Sequence, residues 1–295
     1  MVAGLLLWGA AYVGVVVFIS WASVPAHPLP AYLVFELVCL LPWTAWLLIK
    51  AARISRGVGI ATVVQMCAVF TVTYIAEVTG TYSKLWTFSM SSDALCGVAL
   101  SGVPLEEFLF YPLVMNFSLL NYLWICAYLK GRHESDLPIP RVVLGRVLGG
   151  AAFVFILAGI LPLFLRDISV SVPPSMHPGP LGIPRYEEGF RAYGWTMICM
   201  FSVAVNLVVF LVAERTTALM LRAAIPLSAV FFLICLMVEL LGTGRGWWVF
   251  NGRQSSGLWV AGIPVENLPA YLTGVMLPLA LFEFTRRLLG ERGLP

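Results

Sequence analysis

Charged residues are scarce in this chain, and their scarcity indicates its broad class. Only 11% of the 295 residues are charged, whereas 60% are apolar and the mean hydropathy is +0.91. Soluble domains carry about 25% charged residues, so the composition indicates an integral membrane protein. The net charge of +3 comes without a basic run, which argues against a nucleic-acid-binding protein.

Metal ligands and cysteine pairs are also sparse. The three histidines, His27, His133 and His177, fall in predicted loops, and the six cysteines form no Cys-x-x-Cys pair. We therefore expect no histidine-based metal site within the membrane. The cysteines are interpreted as small buried apolar residues.

Several familiar catalytic motifs are absent. The sequence shows no strand pattern and no G-x-G-x-x-G, so we expect no Rossmann site for a flavin or a nicotinamide. It also lacks D-D-x-x-D, D-x-D-D, G-x-S-x-G and H-E-x-x-H motifs. The remaining candidate chemistry uses carboxyl groups in an apolar setting, without a cofactor or a metal.

Long apolar segments are abundant, and each is long enough for the roughly 20 residues that a membrane-spanning helix needs. They predict an all-α, polytopic membrane helix bundle with eight spans. The N-terminal segment lacks a basic leader and a clear cleavage site, so it is interpreted as the first span. The predicted spans are residues 3–22, 31–49, 58–80, 104–129, 144–165, 193–213, 218–241 and 262–284.

One stretch occurs twice. The first copy reads EVTGTYSKLWTF and then GVPLEEFLF, and the second reads ELLGTGRGWWVF and then GIPVENLPAY. The offset between the copies is 162 residues for the first string and 160 for the second. The matched pairs are Glu77 with Glu239, Gly80 with Gly242, Trp86 with Trp248, Phe88 with Phe250, Pro104 with Pro264, and Glu106 with Glu266.

The duplication predicts a first four-helix repeat over residues 1–133 and a second over residues 134–295. Four spans per repeat give both the same orientation, with a pseudo-two-fold axis along the membrane normal. Residues 166–192 would link the repeats on the outer side, either as a lid or as a plain linker.

The distribution of Lys and Arg predicts the orientation. The side that holds the C-terminus carries 12 of these residues, and the opposite side carries six. The positive-inside rule then places both termini in the cytoplasm, and the repeated acids lie toward the outer end of the bundle.

Glu106 and Glu266 are the leading candidates for catalytic residues. Each follows Gly-x-Pro-x and falls in the first turn of a matched helix. The alternative is that acids simply favour a helix N-terminus, but this does not explain the whole repeated string.

Glu107, whose counterpart is Asn267, points about 100° away from Glu106, so Glu106 is expected to face the bundle axis. Glu107 and Asn267 are candidates for substrate contact.

Other acids lie within or beside the spans, where charge is costly unless it is functional or paired. Glu77 and Glu239 are expected to complete a polar ring with the first pair; alternatively, they snorkel to water from helix ends. Glu36 has no acidic counterpart in the sixth span and is interpreted as part of a proton path or as a structural partner. Glu283 lies beside Arg286 and Arg287 and is predicted to be a solvated interface residue.

Aromatic residues keep a fixed distance from the repeated acids. One explanation is an aromatic belt at the membrane boundary. The other is that the rings face the substrate and stabilise a carbocation. The residues concerned are Trp86, Phe88, Trp247, Trp248 and Phe250.

Paired carboxyl groups suit acid–base chemistry on a lipophilic substrate. Desolvation raises the pKa of a buried carboxyl group, so one glutamate can donate a proton while another, near polar groups, accepts one.

GVPLEEFLF and GIPVEN, each after a Trp-x-Phe or Trp-Val-Phe, resemble the integral-membrane lycopene cyclases, chiefly over residues 75–125 and 237–285. The resemblance implies a flavin-independent, fused two-repeat enzyme in a bacterial or archaeal cell membrane. It implies proton-initiated cyclisation of a carotenoid end group, or of a prenylated aromatic such as a farnesylated indole in meroterpenoid biosynthesis. Asn267 departs from the family pattern, because it stands where a second acid is expected.

Two other classes are considered. Parallel repeats with intramembrane carboxyl groups also suit a proton-coupled transporter of a small or lipophilic solute, which would need a polar route to both faces. A non-catalytic subunit would need no cavity.

Overall fold

A computed structural model describes residues 30–83, 85–89, 95–131, 141–164, 194–212, 218–252 and 254–291. The predicted first span, the loop at 166–192, the repeat boundary at 133 and 134, and the three histidines lie outside the described residues.

The other seven predicted spans are helical over most of their described residues. Their apolar composition explains this, because a helix satisfies all its backbone groups internally. The eighth begins at Asn267 and not at residue 262, because Ile263–Pro264 is a strand, so Glu266 stands at the N-cap of its helix and does not lie in the first turn. The helices are α1 (Ala31–Phe35), α2 (Leu41–Ile54), α3 (Arg56–Tyr82), α4 (Leu105–Gly131), α5 (Arg141–Phe164), α6 (Gly194–Val212), α7 (Ala218–Gly244), α8 (Asn267–Thr273) and α9 (Met276–Leu288).

Two of these spans are interrupted, which the sequence did not predict. A π-helical segment, Glu36–Leu40, joins α1 to α2. A short break at Gly274 separates α8 from α9. A Cβ atom on Gly274 would lie 2.8 Å from the ring of Phe231, so the chain passes too close to α7 for a larger residue.

The bundle exposes apolar side chains on its outside. Val72 and Ile75 of α3 are 57% and 58% exposed, although both are strongly hydrophobic. Lipid, rather than water, is the natural surrounding for such a surface. Four helical segments in the described ranges are long and apolar enough to cross a membrane: Arg56–Tyr82, Gly194–Leu211, Ala223–Gly244 and Asn267–Leu288. The chain is an all-α, polytopic integral membrane protein with a four-plus-four repeat.

The helices pack across the two repeats. Within the first repeat, α3 packs against α2 and α4; within the second, α5 packs against α6 and α7 against α8. Contacts between α3 and α9 and between α4 and α7 join the repeats. Buried apolar residues such as Tyr122, Leu227 and Phe282 form the core between them.

Short strands connect the helices, so the expectation that the chain has no strands is wrong for these loops. Strands of two or three residues show no alternation in the sequence, which explains why they were missed. The strands are β1 (Trp86–Phe88), β2 (Ala99–Leu100), β3 (Val103–Pro104), β4 (Trp248–Phe250), β5 (Trp259–Val260) and β6 (Ile263–Pro264). β2 pairs with β3 and β5 with β6 in equivalent hairpins, and β1 pairs with β4 across the repeats.

The β1·β4 ladder marks the pseudo-two-fold axis. Thr87 lies opposite Val249 at its centre. Beyond one end, Ser89 N–H donates to the carbonyl of Trp247 over 2.7 Å; beyond the other, Asn251 N–H donates to the carbonyl of Leu85 over 2.8 Å. Ser89 corresponds to Asn251 in the repeat, and Leu85 corresponds to Trp247. Each half therefore donates one bond and accepts the other at equivalent residues, as a two-fold rotation through the ladder requires.

Both hairpins also turn in the same way. Ser101 and Gly102 have φ angles of 53° and 80°, and Ala261 and Gly262 have 50° and 84°. Two successive positive φ angles are typical of the type I′ turn, which matches the twist of a tight hairpin. The repeat therefore preserves backbone conformation where Ser101 and Ala261 differ in side chain.

Candidate active site

The repeated glycine, tryptophan and glutamate form one local structure in each half. A Cβ atom on Gly80 would lie 2.0 Å from the Trp86 ring, and one on Gly242 would lie 2.1 Å from the Trp248 ring. Only glycine lets the indole lie this close to the helix. The close packing directs each indole N–H at the glutamate three residues before the glycine.

Those indoles hydrogen bond to the acids. Trp86 Nε1 donates to Glu77 Oε2 over 3.1 Å, and Trp248 Nε1 donates to Glu239 Oε2 over 2.9 Å. Glu77 is 4% exposed, so the alternative of a side chain snorkelling to water is wrong for this residue. Glu239 is half-buried.

A tyrosine completes each of these sites. The Tyr271 hydroxyl donates to Glu239 Oε1, and the Tyr111 hydroxyl makes the corresponding contact with Glu77. Each carboxyl group is thus held from two sides by an N–H and an O–H donor. The tyrosines lie five residues after Glu106 and Glu266, at the same 160-residue offset. That offset was a signal in the sequence that could have identified them.

Glu107 joins the two halves at this site. It is 5% exposed, interacts electrostatically with Glu77 and Glu239, and hydrogen bonds with Tyr32. The sequence favoured Glu106 as the acid that faces the axis; the structure instead brings Glu107 together with the pair from α3 and α7. Three carboxyl groups from both repeats therefore share one buried region.

Asn267 occupies the corresponding position in the second half. Its Oδ1 accepts a hydrogen bond from Trp195 Nε1 over 2.6 Å, and its Nδ2 donates to the Tyr271 hydroxyl over 2.8 Å. Because that hydroxyl donates to Glu239 in turn, the amide orients it through a continuous chain of hydrogen bonds.

Glu106 and Glu266 each hold the loop before their own hairpin. Cys96 N–H donates to Glu106 Oε1 over 2.5 Å, and Ser256 N–H donates to Glu266 Oε1 over 2.8 Å. Both acids are buried, at 0% and 3% exposure. Glu266 also accepts from Thr196 Oγ1 over 2.7 Å.

The aromatic rings lie between the halves rather than at a lipid boundary. Trp86 packs edge-on against Trp195 at 4.9 Å between ring centroids, and Tyr32 packs against Trp248 at 5.7 Å. The belt explanation is therefore wrong for four of the five aromatic residues that it concerned, because these four are buried, whereas Phe88 is half-buried against Trp248. Those four are Trp86, Trp247, Trp248 and Phe250.

Glu283 was predicted to be solvated, and that prediction is wrong. It is 2% exposed, accepts from the Tyr122 hydroxyl over 3.0 Å and pairs with Arg286 over 2.7 Å. Because α9 packs against α3 and α6, this face of the helix points into the bundle.

The fold and the site together define a class: an integral membrane bundle in which duplicated halves gather carboxyl, tyrosine and tryptophan side chains in the interior. A family model described as lycopene cyclase matches residues 29–125 and 193–285, one segment in each repeat. The chain belongs to the lycopene cyclase family, which supports a cyclase enzyme of the carotenoid cyclase type. The comparisons with curated proteins and with solved structures both found no match.

Proposed function

We propose that the protein is a membrane-embedded isoprenoid cyclase that works by non-redox acid–base catalysis and needs no cofactor. Its substrate is a lipophilic terpenoid end group, and its reaction is an isomerisation of the intramolecular lyase type. The observation that carries this proposal is the meeting of Glu77, Glu107 and Glu239, contributed by both repeats, among buried aromatic rings.

The proposed reaction begins with a proton. A carboxylic acid O–H bond breaks and a C–H bond forms at a terminal alkene, which leaves a tertiary carbocation. The π electrons of a second alkene form the ring-closing C–C bond, and the cation moves onto the ring. A carboxylate then removes a neighbouring proton, a new C=C bond forms, and the molecular formula is unchanged.

We assign the acid and base roles to the repeated glutamates Glu106, Glu266, Glu77 and Glu239. Buried carboxyl groups suit this division, because environments that differ in hydrogen bonding separate a proton donor from a proton acceptor. Glu107 and Asn267 are assigned to contact with the substrate, because Glu107 interacts with Glu77 and Glu239 and Asn267 hydrogen bonds to the Tyr271 hydroxyl that donates to Glu239.

The aromatic residues are assigned to the cationic intermediate. The face of an indole or phenyl ring carries negative charge density and attracts a nearby cation. The rings assigned to this role are Trp86, Phe88, Trp248 and Phe250.

The family favours a lycopene-like carotenoid as the substrate, and a prenylated aromatic such as a farnesylated indole is the second choice. The arginine and lysine bias supports placing both termini in the cytoplasm. The substrate then reaches the site from the surrounding membrane lipid, toward the outer side of the bilayer.

Expression in a lycopene-accumulating host, followed by pigment analysis, tests this proposal. We expect a cyclic carotenoid that is absent from the host carrying no gene. A parallel culture supplied with a farnesylated indole tests the second substrate. If the protein is present in the membrane and converts neither compound, the proposed function is wrong.

A further inference from the structure

Helices α1 and α6 occupy equivalent places in the two halves. Tyr32 in α1 hydrogen bonds with Glu107, and Trp195 in α6 donates to Asn267. Each ring also packs on the repeated tryptophan of the opposite half. These shared contacts align the two helices at an offset of 163 residues.

The alignment shows that the two halves differ in chemistry. Glu36 in the first half corresponds to Cys199 in the second, and Leu33 corresponds to Thr196. The second half therefore has a thiol where the first half has an acid, and a hydroxyl group where the first half has an aliphatic side chain.

The two hairpin acids also differ in their hydrogen bonding, through Thr196 of α6 and through Ser256, which stands where the first half has Cys96. Glu266 accepts from Ser256 N–H and from the Ser256 and Thr196 hydroxyls, over 2.8, 2.8 and 2.7 Å. Glu106 accepts from Cys96 N–H, and its buried Oε2 has no hydrogen-bond partner among the described residues. Glu266 therefore has three donors, whereas no described residue donates to Glu106 Oε2.

Glu36 is buried without support of this kind. It is 0% exposed, and neither of its carboxyl oxygens has a hydrogen-bond partner in the described part of the chain. It interacts electrostatically with Glu107 and Glu106. An unpaired ionised carboxylate is costly in such a place, so the neutral form that carries a proton is favoured. Glu36 also begins the π-helical segment, and such segments are frequent at functional sites.

The equivalent position in the second half, Cys199, does not carry a carboxylic acid. Cys199 Sγ lies 3.8 Å from Asn267 Oδ1 in a weak hydrogen bond, and neither side chain is a carboxylic acid. Glu266, unlike Glu36, already accepts hydrogen bonds from three donors among the described residues.

We propose that the proton given to the alkene comes from the first half alone: Glu106 donates it, and Glu36, which interacts with Glu106 and Glu107, is the proton-relay residue that replaces it. This inference rests on the proposed cyclase function. The O–H bond of Glu106 breaks as the C–H bond forms on the alkene. The Glu36 proton then moves to the vacated carboxylate, and the proton released at ring closure returns to a carboxylate of the site.

Steady-state kinetics of Glu36→Gln in reconstituted membranes test the relay. Glutamine keeps the size of the side chain but carries no transferable proton, so we expect kcat to fall about 100-fold with KM unchanged. Glu36→Asp restores the carboxyl group and is expected to give an intermediate kcat. Cys199→Ala, at the equivalent position, is the matched control and is expected to keep the activity of the unmodified protein.

Three results separate the possible failures. If Glu36→Gln keeps the full kcat, or if Cys199→Ala loses as much activity as Glu36→Gln, the relay is overturned while the cyclase function stands. If the glutamine variant does not accumulate, Glu36→Met fills the same volume, and full activity there would equally overturn the relay. If the unmodified protein converts neither substrate, the cyclase function itself has failed.

Discussion

Single side chains in this protein are held by groups that repeat across the two halves. Glu77 accepts from Trp86, and Glu239 accepts from Trp248 and Tyr271. Fixed donors of this kind orient a carboxyl group before the substrate arrives, so little reorganisation is needed during the reaction.

Replacement of the hairpin acids tests their assigned roles. Glu106→Gln and Glu266→Gln each keep the side-chain volume but remove the ionisable group. We expect each variant to insert in the membrane and to lose cyclised product by about 100-fold or more, measured by pigment analysis per amount of membrane protein. Normal cyclisation by both variants would rule out these roles.

Replacement of Gly80 tests how its close packing against Trp86 contributes to stability. Gly80→Ala forces the Trp86 ring away from α3, and overpacking of this kind costs about 1–3 kcal/mol. We expect a lower midpoint of thermal unfolding in detergent. Gly150→Ala, in a helical position where a Cβ atom meets nothing within 4 Å, is the matched control and should leave the midpoint unchanged or slightly raised. Equal midpoints for both variants would contradict the close packing of the indole.

At the scale of elements, the antiparallel β1·β4 ladder carries the two-fold relation. It places Trp86 opposite Phe250 and Phe88 opposite Trp248. The ladder therefore keeps the indoles, and the carboxyl groups that they hold, in register between the halves.

A proline in β1 should weaken its pairing with β4 and so the contact between the two repeats. Thr87→Pro removes a backbone donor at the centre of β1, so we expect lower thermal stability and less product. Thr87→Val is the control, because the buried Thr87 hydroxyl has no hydrogen-bond partner among the described residues. We expect the valine variant to match the unmodified protein in unfolding midpoint and product yield. A proline variant as stable as the valine variant would show that the ladder does not join the halves.

Most of these elements could be predicted from the sequence, but their interruptions could not. Apolar length alone predicts the spans, since every backbone group in lipid must be satisfied within a helix. The break at Gly274 lies at a close contact with Phe231 of α7, and apolar length does not indicate the π-helical segment at Glu36–Leu40. The pairing of Trp86 with Phe250 depends on residues far apart in the chain, which a local pattern does not show.

For the whole molecule, duplication predicts the architecture better than it predicts the site. The repeated string located Glu77, Glu106, Glu239 and Glu266 and implied a two-fold arrangement. It did not show that Glu107 would lie with the acids of α3 and α7, because that depends on how α4 is rotated in the bundle. It also could not show that the hydrogen bonding of the hairpin acids differs between the halves.

Separate expression of the repeats tests whether both are needed. Residues 1–133 carry Glu77 and Glu107, and residues 134–295 carry Glu239 and Trp248. We expect no product from either half and cyclisation when both are co-expressed, because the shared region contains groups from each. Pigment analysis of the three strains provides the measurement. Activity of one half alone would contradict a site built between the repeats.

Cyclisation in heavy water tests whether a proton from the protein initiates ring closure. A proton-initiated, non-redox reaction takes one hydrogen from the protein's exchangeable acids for each ring that it closes. We therefore predict that membranes of the purified protein, without added reductant or flavin, form a product with one deuterium on carbon for each ring, as read by mass spectrometry. A cyclised product without deuterium, or a ring that forms only when a reductant is supplied, would contradict the account.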